Sequence, residues 1–107
     1  MVLPIPRKPP RPGELERRIH ELVRDGAFSF EAHVFDGSLE QGIDVHDVLN
    51  VLARGSLKGK IEPGIDAGEW KCKMVASIDT SGRSLGVVTV VIKDLHLFIT
   101  AIEWEEK

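Results

Sequence analysis

The stretch that decides the fold is residues 68–104, which read GEWKCKMVASIDTSGRSLGVVTVVIKDLHLFITAIEW. It predicts three strands, because runs of apolar and β-branched residues are separated by two short polar segments that favour tight turns. The middle run, Leu85 to Ile92, is apolar on both faces, which is typical of a strand in the centre of a sheet. The upstream segments are therefore expected to be helices that pack on this sheet.

The composition indicates one soluble domain. The chain has 107 residues, a formal net charge of −3 and a single cysteine, which excludes an internal disulfide. A protein that binds nucleic acid without sequence preference is usually basic, so the net charge of −3 argues against a large basic patch on this chain. No apolar run approaches the length of a membrane span, and no signal-peptide pattern follows the N-terminus. We therefore expect a cytoplasmic protein without a membrane partner.

Residues 1–12 are rich in proline and in basic side chains, with Arg7, Lys8 and Arg11 among them. Proline lacks a backbone donor and disfavours helix in the residue before it. The pattern predicts a flexible, extended arm ahead of a single α+β domain at residues 13–107. The arm acts either as a solubilising tail or as a contact to a partner or an RNA phosphate backbone.

The clearest helices are the first and the last of three that the pattern predicts. In the first, residues 13–25, apolar side chains recur at helical spacing, and Gly26 marks its C-terminal end. The last begins at Asp44, which is a good N-cap, and it ends at Gly55. Both helices present one apolar stripe, as expected of helices that cover a sheet.

A second, weaker helix is predicted over residues 29–41, with Ser29 as its N-cap and a break near Gly37. Four strands are predicted at residues 56–62, 69–78, 84–92 and 95–103. Helices followed by strands with short turns predict an α+β fold. The expected architecture is two to three N-terminal helices packed on one face of a four-stranded antiparallel sheet.

Alternation along the strands predicts which side chains face the helices. Trp70, Cys72 and Met74 share one face, so core burial explains Cys72 better than nucleophilic catalysis does. On the last strand, one set of side chains is expected on the core side and one on the opposite side. The first set is Leu97, Ile99 and Ala101, and the second is His96, Phe98, Thr100 and Ile102.

Four lysines are expected on the face of the sheet that no helix covers. Lys58 and Lys60 lie two apart on one strand, and Lys71 and Lys73 lie two apart on the next. Their ammonium groups would converge into a cradle for a phosphate. The alternative is an ordinary solvated sheet face, because lysines opposite each other repel unless an anion lies between them.

Two histidines are candidates for acid–base chemistry. His96 and Thr100 are predicted on the lysine face, where neighbouring cations would favour the neutral imidazole. His33 lies among aromatic residues and is equally compatible with a structural, hydrogen-bonded role. The histidines and the cysteine show no metal-ligand spacing, so no metal is predicted.

Two segments carry a resemblance to a known family. Residues 29–57, SFEAHVFDGSLEQGIDVHDVLNVLARGSL, resemble its opening, although the alanine precedes the histidine instead of following it. The matching residues there are Ser29, His33, Gly42, Ile43, Asp47, Val48 and Gly55. Residues 81–104 resemble its end, through Gly82, Leu85, Val87, Val88, Ile99 and Thr100. The family is a small domain of unknown function grouped with MqsR-type and RelE-type toxins.

The resemblance implies a toxin fold, metal-independent cleavage of mRNA without a cofactor, and inhibition by an antitoxin protein. By position, His33 and Thr100 match family residues, and Lys71 and Lys73 lie where the family's sheet presents basic side chains. Together with the strand pattern, this gives His33, Lys71, Lys73, His96 and Thr100 as the candidate catalytic residues and Lys58, Lys60 and Arg83 as the candidate RNA-binding residues.

The chain departs from such toxins in two ways that leave alternatives open. Toxins of this kind commonly use a tyrosine, which this chain lacks, and they are usually basic, whereas this chain is mildly acidic. Either His96 or His33 takes over acid–base catalysis, or the chain is a non-catalytic member that binds a protein or a ligand. A homodimer formed through an exposed strand edge is a third expectation.

Overall fold

A computed structural model describes residues 10–36, 41–66, 68–78, 82–92 and 96–105. The described residues form α1 (Pro12–Arg24), β1 (Phe28–Phe30), α2 (Val45–Arg54), β2 (Ser56–Pro63), β3 (Trp70–Ser77), β4 (Ser84–Ile92) and β5 (His96–Glu105). Residues 1–9 of the predicted arm, most of the turn predicted at residues 79–82 and the turn predicted at 93–94 lie outside the described residues.

Helix α1 ends through a local hydrogen-bond pattern that glycine makes accessible. Gly26 has a φ of 75°, in the left-handed region that residues with a Cβ rarely adopt. Its N–H donates to the Val23 carbonyl at 3.1 Å, and the Ala27 N–H donates to the Leu22 carbonyl at 2.8 Å. These two bonds form a Schellman motif, which satisfies carbonyls at the helix end. The predicted stop at Gly26 is confirmed.

Helix α2 begins with a reciprocal cap. The Asp44 side chain accepts a hydrogen bond from the Asp47 N–H, and the Asp47 side chain accepts one from the Asp44 N–H, both at 3.1 Å. Each carboxylate thereby satisfies a backbone donor that has no partner within the helix. The predicted N-cap at Asp44 is confirmed.

The strands form one mixed sheet in the order β1-β5-β4-β3-β2. Strand β1 runs parallel to β5, and all other neighbours are antiparallel. The α+β class is confirmed. The prediction of four antiparallel strands is wrong in detail, because the described sheet has a fifth strand that joins its edge in the parallel sense.

The fifth strand comes from the segment predicted to be the second helix. Phe28 and Phe30 alternate with Ser29, so both rings pack against the core, 5.8 Å apart and edge to face. The residues on either side of β1 also bond to β5. The Leu97 N–H donates to the Ala27 carbonyl, and the Glu31 N–H donates to the Ile99 carbonyl, both at 2.9 Å. The backbone of residues 27–31 thus satisfies hydrogen-bonding groups on the outer edge of β5. A helix in this segment would have left those groups to solvent. Residues 32–36 are turns, and 37–40 lie outside the described residues.

Both helices pack on one face of the sheet, and the core lies between this helix layer and the sheet. The buried apolar residues of this layer are Leu15, Ile19, Leu22, Ile43, Val48, Val51, Leu52, Cys72, Met74, Leu85, Val87, Val91, Leu97 and Ile99. Cys72 and Met74 are buried there as predicted, and Trp70 packs against them half-buried. Burial of this apolar surface is the main stabilising contribution.

A bulge in β5 reverses the predicted alternation in its second half. Thr89 pairs with Ile99 and Val88 with Ala101, so Thr100 is an extra residue on the β5 side. Ala101 therefore lies opposite the helices, and Ile102 packs against the core. The predicted faces of Ala101 and Ile102 are wrong, because one inserted residue moves every later side chain to the other face.

Candidate functional site

The sheet face that points away from both helices is called the open face below. It carries Lys58, Lys71, Lys73, Val75, Gly86, Val88, Val90, His96, Phe98, Ala101, Glu103 and Glu105. The bulge at Thr100 determines part of this composition, because without it Glu103 and Glu105 would face the helices. The open face is thus lysine-rich on β2 and β3, apolar on β4, and acidic at the end of β5.

Glu105 binds two of the predicted site lysines. Its carboxylate lies 3.0 Å from the Lys58 Nζ and 2.9 Å from the Lys73 Nζ, and Lys73 is also 3.7 Å from Glu103. The Glu105 side chain is only 11% exposed. Lys58 and Lys73 are direct neighbours across β2 and β3, so they need an anion between them. Glu105 is that anion, and these four side chains are called the Glu105 clamp below.

Hydrogen bonding within the clamp shifts the pKa of both main partners. The hydrogen bond from Lys73, followed by the one from Lys58, holds the pKa of the Glu105 carboxyl below its ordinary value. The same Lys73–Glu105 bond is the main cause that raises the pKa of the Lys73 ammonium. Both groups are therefore charged across the neutral range, and each neutralises the other.

Gly86 makes the clamp possible. It lies on β4, between the strand of Lys73 and the strand of Glu105. A Cβ at this position would lie 2.9 Å from a Glu105 carboxylate oxygen and 3.1 Å from the Lys73 side chain. The two side chains meet above β4 because no side chain stands there. A glycine inside an otherwise apolar strand signals such a close approach, and this signal is present in the sequence.

The other two site lysines lie further along the sheet. Lys60 and Lys71 are exposed beside a hollow of about 240 Å³, which Glu62 also lines. Within the described part of the chain, neither of them has an ion-pair partner. The predicted cradle of four lysines is therefore split into a neutralised pair and an exposed pair.

His96 and Ser29 form a side-chain pair that no pattern in the sequence predicts. The Ser29 Oγ lies 2.7 Å from the His96 Nε2, on the open face where β1 meets β5. Ser29 was predicted to be a helix N-cap, and no local pattern relates it to a histidine so distant along the chain. Two strand spacings, about 10 Å, separate the strand of His96 from that of Lys71.

Thr100, His33 and Arg83 have other partners. The Thr100 hydroxyl, at the bulge, donates to the Val88 carbonyl at 3.4 Å. His33 is exposed in the turn after β1, with its Nδ1 3.1 Å from an Asp36 carboxylate oxygen. The Arg83 guanidinium stacks 3.7 Å from the centre of the Trp104 ring. Of the eight predicted site residues, four thus lie on the open face by strand register: Lys58, Lys71, Lys73 and His96. Lys60 and Thr100 line hollows beside that face. His33 and Arg83 lie elsewhere, and the roles predicted for all eight stay predictions.

A groove of about 570 Å³ lies between the open face and the loop that joins β2 to β3. It is called the hairpin groove below. Val90, Phe98 and Thr100 form its floor, and the loop with its flanking strand ends supplies Glu62, Pro63, Gly64, Ile65, Asp66, Glu69 and Lys71. Its volume lies in the range of ordinary ligand pockets.

Among the described residues, no three His, Cys, Asp or Glu side chains are grouped so as to hold a metal ion. No helix in the described ranges has the length and apolar character needed to cross a membrane. In comparisons with known proteins, the sequence matches no protein family and shows no significant similarity to a curated protein. The functional argument therefore rests on the geometry of the open face.

Proposed function

We propose that the chain is a binding module that receives its ligand in the hairpin groove of the open face. The observation that carries this proposal is the pairing of Lys58 and Lys73 with Glu105 at 3.0 and 2.9 Å. A carboxylate occupies the position that a substrate phosphate would need in a lysine cradle. The groove of about 570 Å³ on the same face instead has an apolar floor at Val90 and Phe98.

The spacing of the titratable groups also supports binding over catalysis. General acid–base catalysis requires the acid and the base within hydrogen-bond reach of one reacting site, directly or through one water. His96 is engaged with Ser29, and about 10 Å separates the strand of His96 from that of Lys71. The Thr100 hydroxyl already donates a hydrogen bond to the Val88 carbonyl.

The second proposal is the metal-independent endoribonuclease of a toxin–antitoxin pair. It is supported by the position of Lys60 and Lys71, which are both exposed, with Lys71 on the face that also carries His96. On this proposal the two lysines neutralise the scissile phosphate, and His96 protonates the leaving oxygen. An antitoxin protein would cover the same face.

Expression in a bacterial host, with RNA cleavage by the purified chain in the presence of a chelator, separates the two proposals. The binding module predicts normal growth and intact RNA for the wild type. Growth arrest with cleavage that Lys71→Ala and His96→Ala both abolish would overturn the binding module in favour of the nuclease. Ala53→Arg, an exposed change on α2, serves as the matched control for expression and folding.

The positive test of the binding module is a fragment screen observed by amide chemical shifts of the labelled chain. The screen contains cationic, anionic and neutral aromatic fragments. At least one class is expected to shift the amides of Val90, Phe98 and Thr100 together, and Val90→Arg is expected to suppress that shift. A chain whose groove amides respond to no class has no binding function in this groove.

A further inference from the structure

The hairpin groove carries an excess of negative charge. Glu62, Asp66 and Glu69 line it together with a single cation, Lys71. Within the described ranges, none of the three carboxylates forms an ion pair. Low-dielectric walls focus the field of such a cluster into the cleft and attract cations. The same field repels phosphate groups, which argues against nucleic acid as the occupant.

An exposed apolar side chain stands at the edge of this groove. Ile65 is 99% exposed, whereas Val45, the next most exposed large hydrophobic residue among those that the structure describes, is 38% exposed. A fully solvated isoleucine beside the apolar floor of Val90 and Phe98 extends that floor toward solvent. Exposed apolar groups with a polar rim are typical of protein–protein contact sites.

The loop that presents these groups is held by its own hydrogen bonds. The Gly64 N–H donates to the Glu69 carbonyl at 2.8 Å, and the Glu69 N–H donates to the Asp66 carbonyl at 3.1 Å. The Asp66 N–H donates to the Glu69 carboxylate at 3.3 Å. Ile65 and Asp66 are therefore placed before any ligand arrives, which reduces the entropy lost on binding.

We infer that the hairpin groove binds a protein segment in which apolar side chains are flanked by lysine or arginine. The apolar side chains would contact Phe98, Val90 and Ile65, and the basic ones would pair with Glu62 and Asp66. This inference rests on the proposed binding function and adds the chemical class of the partner. The charge of the groove is the observation that selects a basic segment over an acidic one.

The test measures binding of three capped peptides of equal length to the full chain. The first alternates leucine with lysine, the second replaces lysine by glutamate, and the third replaces leucine by serine. We expect the leucine–lysine peptide to bind at least tenfold more tightly than either of the others, and its affinity to fall with added salt. Equal affinities for all three would overturn the inference.

Two variants and a matched control locate the contact. Glu62→Gln/Asp66→Asn should weaken the leucine–lysine peptide about tenfold, and Ile65→Ser should do so to a similar degree. Both changes lie at exposed positions, so the fold is retained. Glu14→Gln/Asp25→Asn changes the net charge equally at exposed positions outside the groove and should leave the affinity within about twofold. An equal loss in this control means that only net charge attracts the peptide, which overturns the inference.

The outcomes also distinguish the inference from the proposed function. If the leucine–lysine peptide fails to bind while anionic or neutral fragments shift the amides of Val90 and Phe98, the partner class is wrong and the binding function stands. If neither peptides nor fragments move those amides, both fail. Tighter binding of a mixed-sequence RNA oligonucleotide than of the peptide also contradicts the inference.

Discussion

At the scale of single residues, Gly55 is required because there is no room for a side chain at its position. Its φ of −73° and ψ of 175° suit any residue, so the conformational freedom of glycine is not the reason. A Cβ at this position would contact the Val51 carbonyl oxygen and lie 2.8 Å from the Val75 carbonyl oxygen. Glycine therefore lets the end of α2 approach β3 at backbone distance.

We predict that Gly55→Ala destabilises the protein by about 2 kcal/mol, because both clashing atoms belong to the backbone and cannot move aside cheaply. Urea unfolding measures this loss. Gly13→Ala is the matched control, since nothing lies within 4 Å of its Cβ position and its place in α1 favours alanine. Equal stability of the Gly55→Ala variant and the wild type would show that α2 has room to shift.

Cys72 gives a second prediction at this scale. Burial is the main cause that raises the pKa of its thiol, and the hydrogen bond with Thr89 opposes that effect only in part. The thiolate is therefore scarce at neutral pH, and reagents do not reach it. In the folded chain, a thiol-specific reagent should react at the rate of unfolding and should react fast in denaturant. Fast reaction under native conditions would place Cys72 at an accessible site.

At the scale of elements, the cap of α2 is the clearest local determinant. Removing the Asp44 carboxylate leaves the Asp47 N–H without its partner. We predict that Asp44→Ala costs about 1 kcal/mol of stability by thermal or urea unfolding. Asn50→Ala, an exposed change inside the same helix, should be neutral or slightly stabilising. Similar losses in both variants would mean that the cap contributes nothing specific.

Elements also show where prediction from sequence succeeds. The end of α1, both ends of α2 and the central strands β3 and β4 follow from patterns within a few residues, because capping and alternation are local effects. Strand β1 does not follow from a local pattern. Its three residues, Phe28–Phe30, have only a weak preference of their own, so the pairing with β5 decides their conformation. The segment could be assigned only after its partner was known.

At the scale of the whole molecule, the Glu105 clamp connects β2, β3 and β5 across the open face. Its contribution depends on pH through Glu105. The folded-state pKa of this carboxyl is lowered, so its stabilisation is complete above the unfolded pKa, about 4.3, and is lost as the pH falls through the folded value. At alkaline pH the contribution depends on Lys73. Because the folded-state pKa of this ammonium is raised, its stabilisation is lost only as the pH rises through that raised value.

We predict that Glu105→Gln lowers stability by about 1 kcal/mol at neutral pH, since Lys58 and Lys73 then lose their shared anion. The loss should shrink as the pH falls through the lowered folded-state pKa of Glu105, where the wild-type carboxyl becomes protonated as well. Glu103→Gln is the control, because Glu103 is 57% exposed and lies 3.7 Å from Lys73. A variant that loses equal stability at all pH values would show that packing, not charge, is what Glu105 supplies.

The sequence by itself determined the α+β class, the helix caps, the buried face of β3 and the lysine-bearing side of the sheet. Only the tertiary structure decided the parallel β1 strand, the bulge at Thr100 and the neutralisation of Lys58 and Lys73 by Glu105. The physical reason is the range of the interactions. Caps and alternation act between close neighbours, whereas the Lys73–Glu105 and Ser29–His96 contacts join residues 32 and 67 positions apart. Such contacts depend on strand register, and a single bulge residue changes it.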